Sequence, residues 1–235
     1  YSAPCELANH RVSTRLYPER VDIAAADTIV ASHERLSDRG QTRYDTFRIT
    51  VIDNSERGLD DVAARHGARC VDWRKRRFNY SIMNNEAALA STAPLLLFLN
   101  DDTAVTDPGW MEAMAELAMR PDVGAVGARL LYPGGAIQHA GVAIGIYGVC
   151  GHAFRECPAE KPSYLNLAHV IREVSAVTGA CLMLRAEMFR EAGGFDAASF
   201  PVAYNDIDLC LRILERGRSI LYTPHATLHH YEARS

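Results

Sequence analysis

The feature that most constrains the fold is an uninterrupted apolar run, Leu95-Leu96-Leu97-Phe98-Leu99, between Pro94 and Asn100-Asp101-Asp102. A strand that is apolar at every position is typical of a parallel sheet with helices on both faces. We therefore predict that this run is the central strand of such a sheet. The length of 235 residues suits one large domain or two very small ones, and we expect one.

Strand and helix patterns alternate along the chain around the central run. We predict strands at 47–52 and 68–73, each followed by a helix, at 59–66 and 81–90. This alternation predicts an α/β fold in which a central, mostly parallel sheet is flanked by helices. Ligands of such sheets bind beyond the carboxyl ends of the strands, where the polar residues after Leu99 lie. The first 45 residues show weak periodicity, with one poor strand near Val21 to Ala26.

Charge and hydropathy exclude several classes of protein. The 25 basic and 29 acidic residues give a net charge of −4, so we expect no nucleic-acid partner, which would need a strong positive field. The chain has no uncharged apolar stretch approaching the ~20 residues of a membrane span, and its first 20 residues do not resemble a leader. We predict a cytoplasmic protein without a membrane span. Peripheral association with the inner face of a membrane stays open.

An acidic turn follows the central strand. Two adjacent carboxylates, Asp101 and Asp102, repel each other, and a divalent cation is a natural compensator. Mg²⁺ and Mn²⁺ prefer oxygen ligands and are held by one or two carboxylates plus substrate phosphates. The alternative is that one carboxylate only caps a turn, since Asn-Asp-Asp-Thr is also good turn chemistry. The local sequence leaves both interpretations open.

A second polar cluster, Asn205-Asp206-Ile207-Asp208, begins a helix predicted over about 205–216. Asn or Asp at a helix start is the usual N-cap, and we expect one of the three to cap. Capping needs only one such residue, so a spare carboxylate at the helix start is a candidate general base. We expect Asp208 to pair with Arg212 one turn later.

The chain ends in a histidine cluster, His225, His229 and His230. On a strand, the His-x-x-x-His spacing does not place both imidazoles as a zinc peptidase helix does, and no Glu lies between them. A role as a single metal ligand and a role in the core both stay open.

Six short motifs follow one another along the chain. They are Val51-Ile52-Asp53-Asn54-Ser55, Phe98-Leu99-Asn100-Asp101-Asp102-Thr103, Thr178-Gly179-Ala180-Cys181, Gly193-Gly194-Phe195-Asp196, Asn205-Asp206-Ile207-Asp208-Leu209-Cys210-Leu211-Arg212 and His229-His230. Taken in order, these motifs resemble a bacterial family 2 glycosyltransferase with the GT-A (Rossmann-like) fold, from about Arg43 to the end. Within the family the sequence is most similar to O-antigen and rhamnosyltransferase-like enzymes. The segment near Val21 departs from the pattern, because it lacks the proline that ends the family's first strand.

The resemblance implies roles for individual residues. Asp53 matches the acid that contacts the nucleotide base, and Asn100 to Asp102 match the DxD element. Within that element, Asp102 is the expected ligand of Mn²⁺ or Mg²⁺, and Asp101 lies near the ribose or donor sugar. Asp206 matches the catalytic base. His230 matches the histidine that completes the metal site, with His229 as the competing position.

The expected function is metal-dependent, inverting transfer of a sugar from a nucleotide-diphosphate sugar to a glycan or lipid-linked glycan acceptor in surface polysaccharide synthesis. We expect a single GT-A domain: a poorly matched part over 1–42, a nucleotide-binding half to about 105, and an acceptor half over 106–235. Two alternatives stay open. One is a non-catalytic sugar-nucleotide-binding descendant. The weaker one is a sugar-nucleotide pyrophosphorylase, because no glycine-rich phosphate loop follows the first predicted strand.

Overall fold

The computed structural model describes residues 47–56 and 58–231, and the backbone of three strands before them. These strands are β1 (Ser13–Leu16), β2 (Arg20–Ala25) and β3 (Thr28–Glu34). They form an antiparallel sheet in the order β1-β2-β3. Contacts between Cα atoms divide the chain into two compact units, 1–48 and 49–235. The expected single domain and its division near residue 105 stay predictions.

The second unit begins with two parallel strands and two helices. β4 pairs in parallel with β5, and α1 connects them. α2 then leads to the apolar run, which forms β6. The elements are β4 (Thr50–Asp53), α1 (Asp60–Arg65), β5 (Arg69–Asp72), α2 (Tyr80–Leu89) and β6 (Leu95–Leu99). Each lies within three residues of its predicted bounds.

The remaining elements build the larger sheet and its cover. They include two 3₁₀ segments, Ile146–Gly148 and Tyr164–His169. No helix in the described part of the chain has the length and apolar character needed to cross a bilayer. The elements are β7 (Thr103–Val105), α3 (Trp110–Ala118), β8 (Val123–Leu131), β9 (Ile137–His139), β10 (Val142–Ile144), β11 (Cys150–His152), β12 (Arg172–Glu173), β13 (Cys181–Arg185), α4 (Ala186–Glu191), α5 (Asn205–Leu214) and β14 (Ser219–His230).

The larger sheet has the order β12-β14-β8-β13-β6, with β7 added to β14 and β9 added to β8. Only β14 and β8 are parallel in it, and its other pairs are antiparallel. The predicted α/β fold with a central sheet flanked by helices is therefore present, but the prediction of a mostly parallel sheet is wrong. A strand buried on both faces shows the same apolar pattern in either direction, so the pattern did not reveal that β13 runs against its neighbours.

β6 lies at the edge of this sheet, not at its centre. Among the described strands it pairs with β13 alone. Leu96 and Phe98 are buried, Leu95 and Leu97 are half-buried, and Leu99 is 44% exposed. The run therefore has one face in the core and one face that the described residues cover only in part.

The core on the buried face of β6 contains three aromatic rings in mutual contact. Phe98 contacts Phe189 of α4 and Phe195, with ring centroids 5.1 and 4.9 Å apart. Phe189 and Phe195 are themselves 5.4 Å apart. This packing holds α4 and the loop after it against β6, and so fixes the approach to α5.

Gly127, on the central strand β8, has no room for a side chain. A Cβ at this position would lie 2.4 Å from the Cβ of Val177, which is buried. We expect Gly127→Ala to lower the free energy of unfolding by about 1–3 kcal/mol, because Val177 and the segment before β13 that carries it must move away. The matched control is Gly134→Ala, since a Cβ there meets nothing within 4 Å. Urea unfolding of both variants checks this, and equal midpoints would contradict it.

Candidate active site

The acidic turn and the final strand meet at one edge of the larger sheet. β7 follows the turn and pairs with β14, with Thr103 opposite His230. Two hydrogen bonds hold the turn in place. Within it, the Thr103 hydroxyl donates to the Asn100 carbonyl at 2.8 Å, and Asn100 N–H donates at 3.0 Å to the carbonyl of Ala180, the residue before β13. Tyr231 N–H donates to the Asp102 carbonyl at 2.9 Å. These backbone bonds place the end of β14 beside the carboxylates.

His230 and Asp102 converge through their side chains. Nε2 of His230 lies 2.9 Å from Oδ1 of Asp102, an oxygen shielded from solvent, and 3.5 Å from Nδ2 of Asn100. The other ring nitrogen, Nδ1, lies 2.6 Å from Oε1 of Gln138. An amide oxygen only accepts, so Nδ1 carries a proton in this contact, and Nε2 is the ring nitrogen that faces Asp102. An imidazole nitrogen and a carboxylate oxygen are both ligands that Mn²⁺ accepts, so the donor set fits a divalent metal.

His229 lies on the opposite side of β14. Its Nδ1 is 3.3 Å from the carbonyl of Tyr132. Successive side chains of a strand point to opposite faces, so only one of the two neighbouring histidines can reach the acidic turn. The structure brings His230 there. The third histidine of the cluster, His225, is exposed on the same strand.

Gln138 is a site residue that the sequence analysis missed. It is 6% exposed, on the short strand β9 between Ile137 and His139. Its contact with Nδ1 fixes the tautomer and the orientation of His230, as the outer partners of metal-bound histidines do. A polar amide between two residues of a short strand carries no periodic signal, and only burial in the structure distinguishes it.

Asp101 and Asp53 have different surroundings. Asp101 is exposed on the turn. Asp53, at the end of β4, is buried and accepts from the Ser55 hydroxyl and N–H at 2.6 and 2.9 Å and from Leu59 N–H at 2.8 Å. The hydroxyl bond chiefly lowers the pKa of Asp53, the backbone bonds and the Arg74 guanidinium 3.8 Å away add to this, and burial opposes it. Asp53 is thus an ionised anchor of its own loop, and the described partners of its carboxylate include no other predicted site residue.

Asp206 stands in the first turn of α5, with both carboxylate oxygens bound to backbone. Oδ1 accepts from Ile207 N–H and Oδ2 from Gly179 N–H, each at 2.8 Å. The Tyr80 hydroxyl donates to the carbonyl of Gly179 at 3.1 Å. Burial and the nearby charge of Asp206 raise the pKa of Tyr80, so this hydroxyl stays protonated. Asp206 is therefore held rigidly between α5 and the loop before β13.

The expectation that Asn205, Asp206 or Asp208 caps α5 is wrong. The N-cap is Tyr204, in the left-handed region with φ of 63°, and its side chain makes no capping bond. The Asn205 side chain donates backwards to the Val202 carbonyl at 3.0 Å. The loop before the helix imposes this geometry, which the helix sequence does not encode.

Asp208 has the predicted structural partner. The Arg212 guanidinium lies 2.6 Å from Oδ2 of Asp208. It also donates to the carbonyls of Ala192 and Gly194. The pair therefore connects α5 to the turn after α4. The Asp208 carboxylate binds Arg212, whereas the Asp206 carboxylate binds backbone N–H groups.

Comparisons with known proteins identify the family and the fold of the chain. The sequence pattern described as glycosyltransferase like family 2 matches residues 31–235, so the chain belongs to this family. A second pattern, the C-terminal domain of Mu transposase, matches residues 1–45. The resemblance to family 2 glycosyltransferases is thus confirmed.

Three curated relatives are similar to the chain. Uncharacterized protein y4gI of Sinorhizobium fredii is 40% identical over 202 residues, covering 83% of this chain and 22% of that protein. O-antigen biosynthesis protein RfbC of Myxococcus xanthus is 39% identical over 203 residues, covering 83% of this chain and 16% of that protein. An N-acetylglucosaminyl-diphospho-decaprenol L-rhamnosyltransferase of Mycobacterium tuberculosis is 29% identical over 138 residues, covering 54% of this chain and 44% of that protein. The chain thus spans less than a quarter of the first two relatives.

Two solved structures share the fold. GalNAc-T7 with UDP, GalNAc and Mn²⁺ aligns with a TM-score of 0.61 at 14% identity, covering 78% of this chain and 37% of that one. The mannosyltransferase PcManGT from Pyrobaculum calidifontis, in complex with GDP-Man and Mn²⁺, aligns with a TM-score of 0.56 at 15% identity, covering 81% and 49%. The GT-A fold is confirmed.

Proposed function

We propose that this chain is a metal-dependent, inverting glycosyltransferase that moves a sugar from a nucleotide-diphosphate sugar to a glycan or lipid-linked glycan in surface polysaccharide synthesis. The observation that carries the proposal is the convergence of His230 Nε2 and Asp102 Oδ1 at 2.9 Å at the edge of the sheet. The relative named for O-antigen biosynthesis supports the class of product. The rhamnosyltransferase relative supports a lipid-linked acceptor.

In this proposal Asp102 and His230 hold Mn²⁺ or Mg²⁺, which, when bound, neutralises charge on the donor diphosphate. Mn²⁺ with UDP or GDP-Man in the two GT-A structures supports this choice of ligands. Asn100 and Asp101 lie beside this position, towards the ribose and the donor sugar, and Asp53 contacts the base. The residues up to about 105 bind the nucleotide, and the residues after them bind the acceptor.

Asp206 acts as the general base of this proposal. Its carboxylate takes the proton from an acceptor hydroxyl, and that oxygen then attacks the anomeric carbon from the face opposite the leaving nucleotide. Two backbone N–H groups hold the carboxylate in place, so no side-chain reorganisation precedes proton transfer.

The experiment that tests this function is a calorimetric titration with Mn²⁺ and a panel of nucleoside diphosphates. Asp102 and His230 supply only two protein ligands, so we expect weak metal binding alone and at least about tenfold tighter binding with the matching nucleotide. Chelator should weaken nucleotide binding by the same factor, because the coupling of two ligands is reciprocal. Equal Mn²⁺ affinity with and without every nucleotide would contradict the proposal.

Turnover separates this proposal from its alternatives. A non-catalytic descendant would show the same coupling but transfer no sugar from any nucleotide-diphosphate sugar. A pyrophosphorylase would instead release pyrophosphate from a nucleoside triphosphate and a sugar phosphate. We expect release of nucleoside diphosphate that depends on an added acceptor.

The contact between Gln138 and His230 gives a second test in which the metal ligands are kept. Gln138→Met removes the acceptor of Nδ1–H at similar side-chain volume, and we expect Mn²⁺ affinity in the presence of nucleotide to fall about 10- to 100-fold. Gln138→Glu keeps an acceptor and should retain most of the affinity. Gln138→Met binding Mn²⁺ as tightly as the parent would contradict a positioning role.

A further inference from the structure

We propose that a cavity at the tip of the hairpin formed by β10 and β11 binds one sugar ring of the acceptor, and that the aromatic ring of Tyr147 is the surface on which this sugar packs. The inference rests on the proposed transfer function and deepens it, because it assigns a place to the acceptor glycan.

The hairpin lies at the same edge of the larger sheet as the acidic turn. β6 and β8 are both antiparallel to β13, so these two strands run in the same direction. Their carboxyl ends therefore share one edge of the sheet, where ligands of α/β folds bind. The acidic turn directly follows β6, and the segment that leads to the hairpin directly follows β8.

The hairpin is held beside the candidate base. Val142 N–H, in β10, donates at 2.8 Å to the carbonyl of Ala176, three residues before Gly179, whose N–H binds Asp206. On β11, burial and the charge of Asp206 raise the pKa of the Cys150 thiol. The hairpin is therefore within electrostatic range of the Asp206 carboxylate.

β11 also contacts the strand that carries Gln138. Nδ1 of His152 lies 2.7 Å from Nδ1 of His139, the residue after Gln138 on β9. Gln138 in turn contacts His230. The strands of the hairpin thus adjoin both parts of the candidate active site, and its tip, residues 144–149, is exposed beside them.

The ring of Tyr147 is presented at this tip by a backbone conformation that costs energy. Tyr147 has φ of 52°, in the left-handed region, and is 86% exposed. A Cβ at Gly151 would lie 2.5 Å from Cδ2 of the ring, so the ring rests against the backbone of β11. Such strain at a bulky residue clusters at functional sites, and here the side chain gains little burial in return. The ring is therefore available to a ligand.

A cavity of about 260 Å³ opens beside the ring, and its described lining residues are Tyr147, Arg155 and Glu156. Nε of Arg155 donates to the Tyr132 hydroxyl at 2.9 Å, and Glu156 N–H donates to the Ile137 carbonyl at 2.7 Å. These bonds hold the two charged residues at the cavity. Its volume is below the ~300–1,000 Å³ of sites for drug-sized ligands, so it suits a single ring.

The chemistry of this lining fits a carbohydrate. A pyranose carries C–H groups on its faces and hydroxyls around its rim. The negative face of an aromatic ring attracts the C–H groups, whereas a guanidinium donates to hydroxyls and a carboxylate accepts from them. The metal ligands proposed above place the donor diphosphate at the acidic turn, and the Glu156 carboxylate disfavours a second anion. The cavity therefore suits an uncharged ring of the acceptor.

An NMR titration without nucleotide or metal tests this inference. The probes are the methyl glycosides of rhamnose, N-acetylglucosamine, mannose and galactose, and the resonances followed are the Tyr147 ring protons and Glu156 N–H. We expect at least one glycoside, at up to about 50 mM, to shift both. Tyr147→Ala should raise the Kd measured at Glu156 N–H at least about fivefold, and Tyr147→Phe, which keeps a ring, less than about twofold. Tyr164→Ala is the matched control, because Tyr164 is 76% exposed and is not among the lining residues.

Three results would overturn the inference. No shift with any glycoside would mean that the cavity binds no sugar ring. Equal affinity of the parent and Tyr147→Ala would mean that the ring is not the packing surface. Equal shifts with glycerol, which has hydroxyls but no ring, would mean that hydroxyls alone are recognised. Sugar binding by a chain that transfers no sugar would instead contradict the proposed function and leave the sugar site in place.

Discussion

Replacement of Asp206 by asparagine is expected to lower the rate of sugar transfer by about 10²- to 10⁴-fold, the usual cost of losing a general base. Donor affinity should change little, because the metal ligands proposed for the donor are Asp102 and His230. The measurement pairs steady-state transfer with calorimetric binding of the nucleotide. A fully active Asp206→Asn protein would show that Asp206 only orders the start of α5.

The contacts of Asp206 add a stability effect to this variant. The carboxylate accepts from Ile207 N–H on one oxygen and from Gly179 N–H on the other, and asparagine has one acceptor oxygen. One N–H then loses its partner, at a cost of about 1–3 kcal/mol of unfolding free energy. Transfer is therefore measured well below the melting temperature of the variant.

The matched control on the same helix is Asp208→Asn. Asp208 pairs with Arg212, and that guanidinium keeps its bonds to the carbonyls of Ala192 and Gly194. The loss should be about 1 kcal/mol or less, with transfer intact. Equal loss of transfer in both variants would mean that the helix, and not the Asp206 carboxylate, is what the reaction needs.

Replacement of His230 by alanine is expected to weaken metal-dependent nucleotide binding by at least about 100-fold. The imidazole is one of the two protein ligands proposed for the cation, and its Nε2 lies 2.9 Å from Asp102. Calorimetry with Mn²⁺ and nucleotide measures the loss, and circular dichroism checks that the strand is intact.

His229→Ala is the control for the same strand. The His229 ring faces the Tyr132 carbonyl, on the other side of β14. Its removal should therefore leave the coupling between metal and nucleotide binding unchanged. The reverse pattern, with His229 essential and His230 dispensable, would move the ligand role to His229.

The sequence predicted the elements better than their arrangement. The bounds of β6 match the apolar run Leu95 to Leu99, because local composition and flanking breakers determine where a strand begins and ends. Its place at an edge depends on which distant strands pair with it, and an apolar pattern contains no such information. The start of α5 was predicted at Asn205, whereas its cap at Tyr204 depends on the loop before it.

The candidate site was predictable where chemistry and position coincide. Asp102 and His230 stand out because charged or titratable side chains directly follow or end apolar strands. Gln138 did not stand out, since its role depends on a contact with a residue 92 positions away in the chain. No local pattern reports a contact across that separation.

The irregularity in β14 decides which histidine reaches the acidic turn. Between Thr223 and Thr227, β14 advances four residues while β8 advances one, from Ala128 to Arg129. Because three is an odd number, the additional residues exchange the two faces to which the later side chains of β14 point, relative to β8. The carbonyl of Thr227 accepts from the Thr106 hydroxyl at 2.6 Å and holds the strand in this register. Which of the two histidines faces the acidic turn thus depends on whether this segment has an odd or an even number of additional residues. We expect a change of this segment by one residue to exchange the two imidazoles, and a change by two residues to return His230 to the acidic turn.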